Sequence, residues 1–311
     1  MTSWTHTDIP GQHGRTAIVT GTGGLGFEDA LALARAGAAV VVAGRSGAKG
    51  AEALSRIRAA VPSAQVHFEQ LDLASLASVE AFAVRISKRH ETIDLLINNA
   101  GVMVPPRREV TADGFELQFG TNYLSHFALT AHLLPLLRED ARVVSLSSVA
   151  ARAGVIDFEN LNATHSYAAM RAYSQSKLAC LMFALELQRW SDAMGWGVRS
   201  IASHPGVART DLLHNGPGRR SAHGLARTLL PFLFQPAPRG ALPTLYAATA
   251  PDATGGAYYG PDGIAEVRGY PMLAKVPVQA LDQAVAARLW QVSEELVGVS
   301  FPNRRPHSRT A

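Results

Sequence analysis

The sequence predicts an α/β fold, a single domain in which helices cover both faces of one mainly parallel sheet. Short apolar runs rich in Val and Ile alternate with segments of helical length along most of the 311 residues. A glycine-rich turn joins the first run to the first helical segment, and no repeat or linker divides the chain. Strands separated by helices imply right-handed βαβ units and therefore a doubly wound sheet.

The individual elements follow from this alternation in chain order. After a polar lead-in over residues 1–14, apolar runs predict seven strands, at Thr16–Thr20, Ala39–Ala43, Val66–Leu71, Leu95–Asn98, Arg142–Leu146, Val198–Ser203 and Ala257–Tyr259. Alanine and leucine spacing predicts helices at Phe27–Ala36, Lys49–Ala60, Phe115–Leu137 and Tyr173–Ser191. The core is expected to end with the last strand.

Two segments lie outside this regular pattern. Residues 210–240 contain several prolines and the apolar stretch LARTLLPFLF, so we expect an insertion that covers a substrate site. Residues 302–311 have no apolar face, and we expect a mobile tail there.

Composition argues against several classes of protein. The net charge of +4 comes from short, scattered arginine pairs, so no nucleic-acid partner is expected. The single cysteine, Cys180, excludes a disulfide framework and a cysteine-rich zinc site, and the histidines form no H-E-x-x-H, so we expect no metal. The start lacks a secretory apolar region, and no uncharged apolar run approaches the roughly 18 residues of a membrane span. We therefore expect a cytoplasmic protein without a membrane span.

The glycine-rich turn predicts a dinucleotide site. Gly21, Gly23 and Gly26 form G-x-G-x-x-G after a predicted strand and at the opening of a helix. Glycines let the backbone approach a pyrophosphate, and the helix N-terminus offers it free N–H groups, which indicates a Rossmann-type sheet. An ordinary glycine-rich turn is the alternative interpretation. Arg45 stands where NAD enzymes place a carboxylate, which favours NADP(H), unless Arg45 is only a solvated surface residue.

Tyr173 and Lys177 are four residues apart at the start of a predicted helix, so both side chains lie on one face. A cation beside a phenol favours the phenolate and lowers a pKa of about 10. The pair predicts a general acid and base, although alone it is also compatible with a surface pair.

Together these motifs resemble the short-chain dehydrogenase/reductase family, over roughly Thr16 to Thr210. Asn98–Gly101 reads N-N-A-G, like the segment after the family's fourth strand, and His204-Pro205-Gly206 resembles the segment that borders nicotinamide. The long interval between Ser148 and Tyr173, with SQSKLA after the tyrosine, resembles the retinol-dehydrogenase-like branch. The turn departs from the family pattern T-G-x-x-x-G-x-G, because it is one residue shorter.

The resemblance implies a role for each matching residue. Ser148 would bind the substrate oxygen, Tyr173 would exchange its proton, Lys177 would lower the tyrosine pKa and hold the nicotinamide ribose, and Asn122 would anchor a proton-relay water. The cofactor would contact Gly21, Thr22, Gly23, Gly24, Leu25, Gly26, Arg45, Asp72, Leu73, Asn99, Ala100, Gly101, Tyr173, Lys177, Pro205, Gly206, Val207 and Thr210. Ser147 competes with Ser148 for the serine role, but Ser148 is the better alignment. A homo-oligomer is also implied.

The sequence thus predicts an NADP(H)-dependent oxidoreductase that interconverts a ketone or aldehyde and an alcohol. Apolar residues in the 210–240 segment, together with Met103, Phe158 and Tyr167, indicate a bulky apolar substrate. A non-catalytic NADP-binding sensor with the same fold is the alternative, and the intact Ser148, Tyr173 and Lys177 argue against it.

Overall fold

One sheet of eight strands forms the centre of the computed structural model, which describes residues 3–207 and 235–302. The spatial order is β3-β2-β1-β4-β5-β6-β7-β8, parallel except for β8, which pairs antiparallel with β7. The strands are β1 Thr16–Thr20, β2 Ala39–Gly44, β3 Val66–Gln70, β4 Ile93–Asn98, β5 Leu137–Leu146, β6 Arg199–Ser203, β7 Tyr258–Pro261 and β8 Pro271–Leu273. The predicted doubly wound, mainly parallel α/β fold is confirmed.

The prediction of seven strands is wrong by one. β8 has three residues, begins with a proline and leaves Met272 and Leu273 exposed, so no buried apolar run marks it in the sequence. It exists because it pairs with β7, where Tyr259 lies opposite Leu273.

The helices differ more from the prediction than the strands do. They are α1 Gly24–Arg35, α2 Gly47–Ala60, α3 Leu76–Arg89, α4 Ser125–Leu133, α5 Ala169–Met194, α6 Ala237–Gly240, α7 Leu242–Thr249 and α8 Gln283–Val297. The helix predicted over Phe115–Leu137 is divided into a π-helical segment at Phe119–Leu124, α4 and a 3-10 turn at Leu134–Leu136. Helix α3 was not predicted, nor were the helices after β6.

Two apolar layers cover the sheet. On one face α3, α4, α5 and α8 pack together, and on the other face α1, α2 and α7 do so. The first layer contains an aromatic cluster in which the ring of Trp290, on α8, lies 5.0 Å from Phe127 and 4.5 Å from Phe301. The core therefore continues beyond Tyr259, contrary to the prediction, because α8 supplies part of this layer.

The predicted insertion and tail lie largely outside the described residues. The two ends of the undescribed interval meet, since the Gln235 N–H donates to the Val207 carbonyl at 3.0 Å. No helix within the described ranges is long and apolar enough to cross a membrane.

Candidate active site

The glycine turn connects β1 to α1 at the carboxyl edge of the sheet. Gly23 is the N-cap of α1 and no side chain caps the helix, so its first N–H groups remain free for an anion. A Cβ on Gly26 would lie 2.7 Å from the Gly21 carbonyl oxygen and 2.5 Å from Asn99 Nδ2, so only glycine permits this close packing. Beside Gly23 there is open space, since a Cβ there would meet nothing within 4 Å. The turn therefore leaves room for a pyrophosphate at the start of α1.

The N-N-A-G segment holds the start of this turn in place through hydrogen bonds to Thr20. The Thr20 hydroxyl accepts hydrogen bonds from the backbone N–H groups of Asn99 and Ala100, both at 2.9 Å. Asn99 Nδ2 donates to the Thr20 carbonyl at 2.7 Å. The ends of β1 and β4 are thereby held together, and the side chains that do so are buried.

The residues predicted to bind the adenosine end of the cofactor follow β2 and β3. Arg45 is exposed directly after β2, and no carboxylate pairs with it in the described part of the chain. Asp72 Oδ1 accepts the Ala74 N–H at 2.9 Å, and the Leu73 carbonyl accepts the Ser125 hydroxyl at 2.6 Å. A free guanidinium at this edge suits a phosphate monoester, which it can bind through two parallel N–H groups.

The tyrosine and serine of the predicted catalytic set meet beyond β5. Tyr173, on α5, is buried and hydrogen-bonded to Ser148. Burial raises the pKa of Tyr173 to about 12, and the Ser148 hydrogen bond opposes this rise. The shift is opposite to the expected one, because removing the phenolate from water outweighs the neighbouring groups.

The two candidate serines have different environments. The Ser147 hydroxyl is buried and donates to the Lys177 carbonyl at 2.7 Å. Ser148 is half-buried, and its hydroxyl accepts the Ala150 N–H at 3.2 Å. Ser148 is therefore the serine beside the Tyr173 hydroxyl, while Ser147 ties β5 to α5.

Lys177 lies one helical turn beyond Tyr173 and is buried. Its ammonium donates to the Leu146 carbonyl at 2.9 Å, and burial lowers the pKa of Lys177. A Cβ on Gly101 would lie 3.7 Å from Lys177 Nζ and 2.9 Å from Asn122 Oδ1. Glycine at position 101 thus leaves room for both side chains.

Asn122 lies in the π-helical segment and joins the loop after β4 to α5. Its Oδ1 accepts the Val102 N–H at 2.7 Å, and its Nδ2 donates to the Val102 carbonyl at 3.0 Å and to Ser176 Oγ at 2.9 Å. The Asn122 carbonyl accepts from His126 Nδ1 at 2.9 Å and from the Cys180 thiol at 3.2 Å. Sequence reasoning did not assign Ser176, His126 or Cys180 to this neighbourhood.

The predicted nicotinamide segment follows β6. Gly206 has a φ of +62°, and the Val207 N–H donates to the Val267 carbonyl at 2.8 Å. His204 is fully buried, and its Nε2 lies 2.8 Å from Glu266 Oε2. Thr210 lies outside the described residues. Glu266 was not predicted, because no motif marks it.

Of the residues expected to line the substrate pocket, Tyr167 contacts the loop that carries Met103. The Tyr167 hydroxyl donates to the Pro105 carbonyl at 2.8 Å, and the Phe158 ring lies 4.0 Å beneath the Arg288 guanidinium. Met103 is half-buried in the loop after β4. Across residues 3–207 and 235–302, no three His, Cys, Asp or Glu side chains group as metal ligands.

Comparisons with known proteins identify the family to which the chain is similar. A sequence profile of the short chain dehydrogenase family matches residues 15–219. The chain is 43% identical to mouse polyprenol dehydrogenase, over 93% of this chain and 86% of that protein. It is 42% identical to human retinol dehydrogenase 13, over 94% of this chain and 87% of that protein. The crystal structure of an uncharacterized protein from Mycobacterium paratuberculosis superposes with a TM-score of 0.80 at 40% identity, covering 97% of this chain and 100% of that one.

Proposed function

Because the chain belongs to the short-chain dehydrogenase family, we propose that it transfers a hydride between NADP(H) and a carbonyl compound or its alcohol. The observation that carries the proposal is the meeting of Ser148 and Tyr173, with Lys177 one helical turn away, at the same edge of the sheet as the glycine turn. Ligands of open α/β sheets bind at the carboxyl ends of the strands. A sensor that only binds the cofactor would have no need of this arrangement.

In carbonyl reduction, Ser148 Oγ and the Tyr173 hydroxyl hold the substrate oxygen. NADPH, when bound, supplies the hydride. With a pKa of about 12, Tyr173 keeps its proton at neutral pH, so it is ready to donate to the oxygen as negative charge develops there. Lys177 then stabilises the phenolate that remains, since an opposite charge favours the ionised form.

Arg45 supports NADP(H) over NAD(H) in this proposal. The side chain is exposed at the end of β2, where a carboxylate would instead suit a ribose diol. A charge-assisted contact to a 2′-phosphate is worth roughly 1.5–3 kcal/mol, which is a preference of about tenfold to a hundredfold.

For the substrate we propose an apolar aldehyde or ketone and the corresponding alcohol. The relatives with about 40% identity are named for polyprenol and retinol, both of them apolar alcohols. The apolar stretch LARTLLPFLF also lies in the interval whose two ends, Val207 and Gln235, meet beside the nicotinamide segment. The apolar sequence of this interval is typical of proteins that bind bulky apolar compounds.

The test is NADPH consumption by the purified chain against a panel of carbonyl compounds. We expect turnover of retinal or a polyprenal, with weaker turnover of short polar aldehydes of equal intrinsic reactivity. Tyr173→Phe should lower this turnover by at least about 100-fold. Tyr246→Phe is the control and should leave it unchanged, because the Tyr246 hydroxyl bonds Asp252 and lies in the other apolar layer, with α7. Turnover confined to small polar substrates would contradict the proposed substrate class, and absence of turnover with retained NADPH binding would favour the sensor.

A further inference from the structure

The carboxylate of Glu266 joins three segments of the chain. Its Oε2 accepts from Arg152 Nη2 at 2.6 Å and from His204 Nε2 at 2.8 Å, while its Oε1 accepts the Lys275 N–H at 2.9 Å. The Glu266 side chain is only 17% exposed. A mostly buried carboxylate with three donors from separate segments acts as a structural joint between them.

Two of those donors come from segments of the candidate active site. Arg152 lies in the 3-10 turn Val149–Ala153, for which Ser148 is the N-cap. His204 directly follows β6 and precedes the nicotinamide segment Pro205–Val207. Glu266 therefore connects the serine side of the site to the nicotinamide side.

The turn that carries Glu266 has an unusual backbone. Ala265 and Glu266 have φ values of 53° and 58°, a left-handed conformation that favours glycine. The same turn touches the nicotinamide segment, because a Cβ on Gly206 would lie 2.3 Å from the Val267 carbonyl oxygen. Two strained, non-glycine residues in succession persist only where surrounding contacts hold them, and such strain is concentrated at functional sites.

The histidine is held in one tautomer by this arrangement. Nδ1 of His204 accepts the Gly206 N–H at 3.2 Å, so the ring proton resides on Nε2 and is donated to Glu266. The His204 ring also lies 5.0 Å from the Tyr258 ring, whose hydroxyl reaches the Ser148 carbonyl at 3.5 Å. Burial lowers the pKa of His204, and the neutral ring is the form that can make both hydrogen bonds.

We propose that Glu266 is a positioning residue for the nicotinamide end of the site: through Arg152 and His204 it fixes the Ser148 turn and the Pro205–Val207 segment relative to each other. The inference rests on the proposed function, since it concerns the same cofactor. The proposal predicts that binding of the nicotinamide half of NADPH depends on Glu266. Binding of the adenosine half, near Arg45 at the other side of the glycine turn, should not depend on it.

Glu266→Gln tests the proposal. The amide keeps one acceptor oxygen but replaces the other with an NH2 donor, so it cannot accept hydrogen bonds from all three donors. We expect the dissociation constant of NADPH, measured by its fluorescence, to rise by about tenfold or more. The dissociation constant of 2′,5′-ADP, a probe of the adenosine half, should stay within about twofold of the parent value in calorimetric titration.

Asp140→Asn is the matched control. Asp140 also has a positive φ, of 63°, and its carboxylate pairs with Arg199 at 2.9 Å, but this pair joins β5 and β6 at the opposite edge of the sheet. We expect both dissociation constants to be unchanged in this variant. The control removes the charge of a paired carboxylate far from the nicotinamide segment, and the Asp140 side chain is more exposed, at 73%, than that of Glu266, at 17%.

The outcomes separate the two proposals. The positioning role would be overturned if Glu266→Gln bound NADPH as tightly as the parent does. It would also be overturned if the variant bound NADPH and 2′,5′-ADP more weakly by the same factor. Failure of the parent chain to bind NADPH would instead contradict the proposed function. If Glu266→Gln fails to fold, Arg152→Gln gives the same test, since Arg152 is 38% exposed and its loss leaves His204 paired. Selective weakening of NADPH supports the proposal in that variant, and unchanged NADPH binding overturns it.

Discussion

Replacing Asp29 by Asn is expected to stabilise the fold by an amount that grows with pH. Asp29 lies on α1, is fully buried, and neither of its carboxylate oxygens has a hydrogen-bond partner among the described residues. Burial, with a smaller contribution from the charge of Glu28, raises the pKa of Asp29 well above its ordinary value. The folded protein therefore holds this proton more tightly than the unfolded chain does.

The sign and the ceiling of the effect follow from linkage. Because the pKa of Asp29 is raised in the folded state, its contribution to the free energy of unfolding is fully present below the unfolded pKa of 3.8. This contribution is lost as the pH rises from there towards the folded pKa. One pKa unit is worth about 1.36 kcal/mol, so the loss cannot exceed about 1.6 kcal/mol at pH 5 or about 4.4 kcal/mol at pH 7. Asn cannot ionise, so the free energy of unfolding of Asp29→Asn does not fall with pH in this way.

Urea denaturation of both proteins at several pH values between 5 and 8 measures the difference. The advantage of Asp29→Asn should increase by up to about 2.7 kcal/mol between pH 5 and pH 7. Glu52→Gln, at an exposed position of α2, is the control and should show no such trend. A difference between Asp29→Asn and the parent that does not vary with pH would refute the reasoning, because Asp29 would then have the same protonation in both states.

Three further predictions concern the active site. Tyr173→Phe should lower turnover by roughly 100-fold to 10,000-fold while cofactor binding survives in a fluorescence titration, and near-parental turnover would disprove its role as acid. Arg45→Asp should move the preference from NADPH towards NADH by about tenfold to a hundredfold in relative dissociation constants, whereas Lys49→Asp nearby on α2 should move it less. Inserting Asn after Thr22 should lower the dissociation constant for NADPH by restoring the family's loop length; equal or weaker binding would show that the turn is complete as it stands.

Local patterns in the sequence were sufficient to predict the positions of most of the strands. The predicted positions of β1, β2 and β6 agree with the structure to within a residue at each end. For β1 and β2 the reason is that β-branched apolar runs suit strands that are buried on both faces. The placing of Tyr173 and Lys177 on one helix also followed from their spacing alone, and α5 confirms that helix. Helix α3 had an adequate signal too, since Val79, Phe82 and Ile86 repeat at helical spacing after the Ser75 cap, yet it was not predicted.

Other features depend on contacts that no local pattern reveals. The π-helical segment around Asn122 is fixed by hydrogen bonds to Val102 and Ser176, which belong to a loop and a helix far away in the chain. Strand β8 is too short to be recognised without β7.

The sequence by itself determined the order of strands and helices, the glycine turn and the residues able to carry acid–base chemistry, because these depend on neighbours along the chain. Only the tertiary structure decided the electrostatic state of those residues. Burial raises the pKa of Tyr173 to about 12, and Glu266 meets His204 across 62 positions of sequence. Solvent exclusion and charge pairing act through space, so they are set by which distant segments the fold brings together.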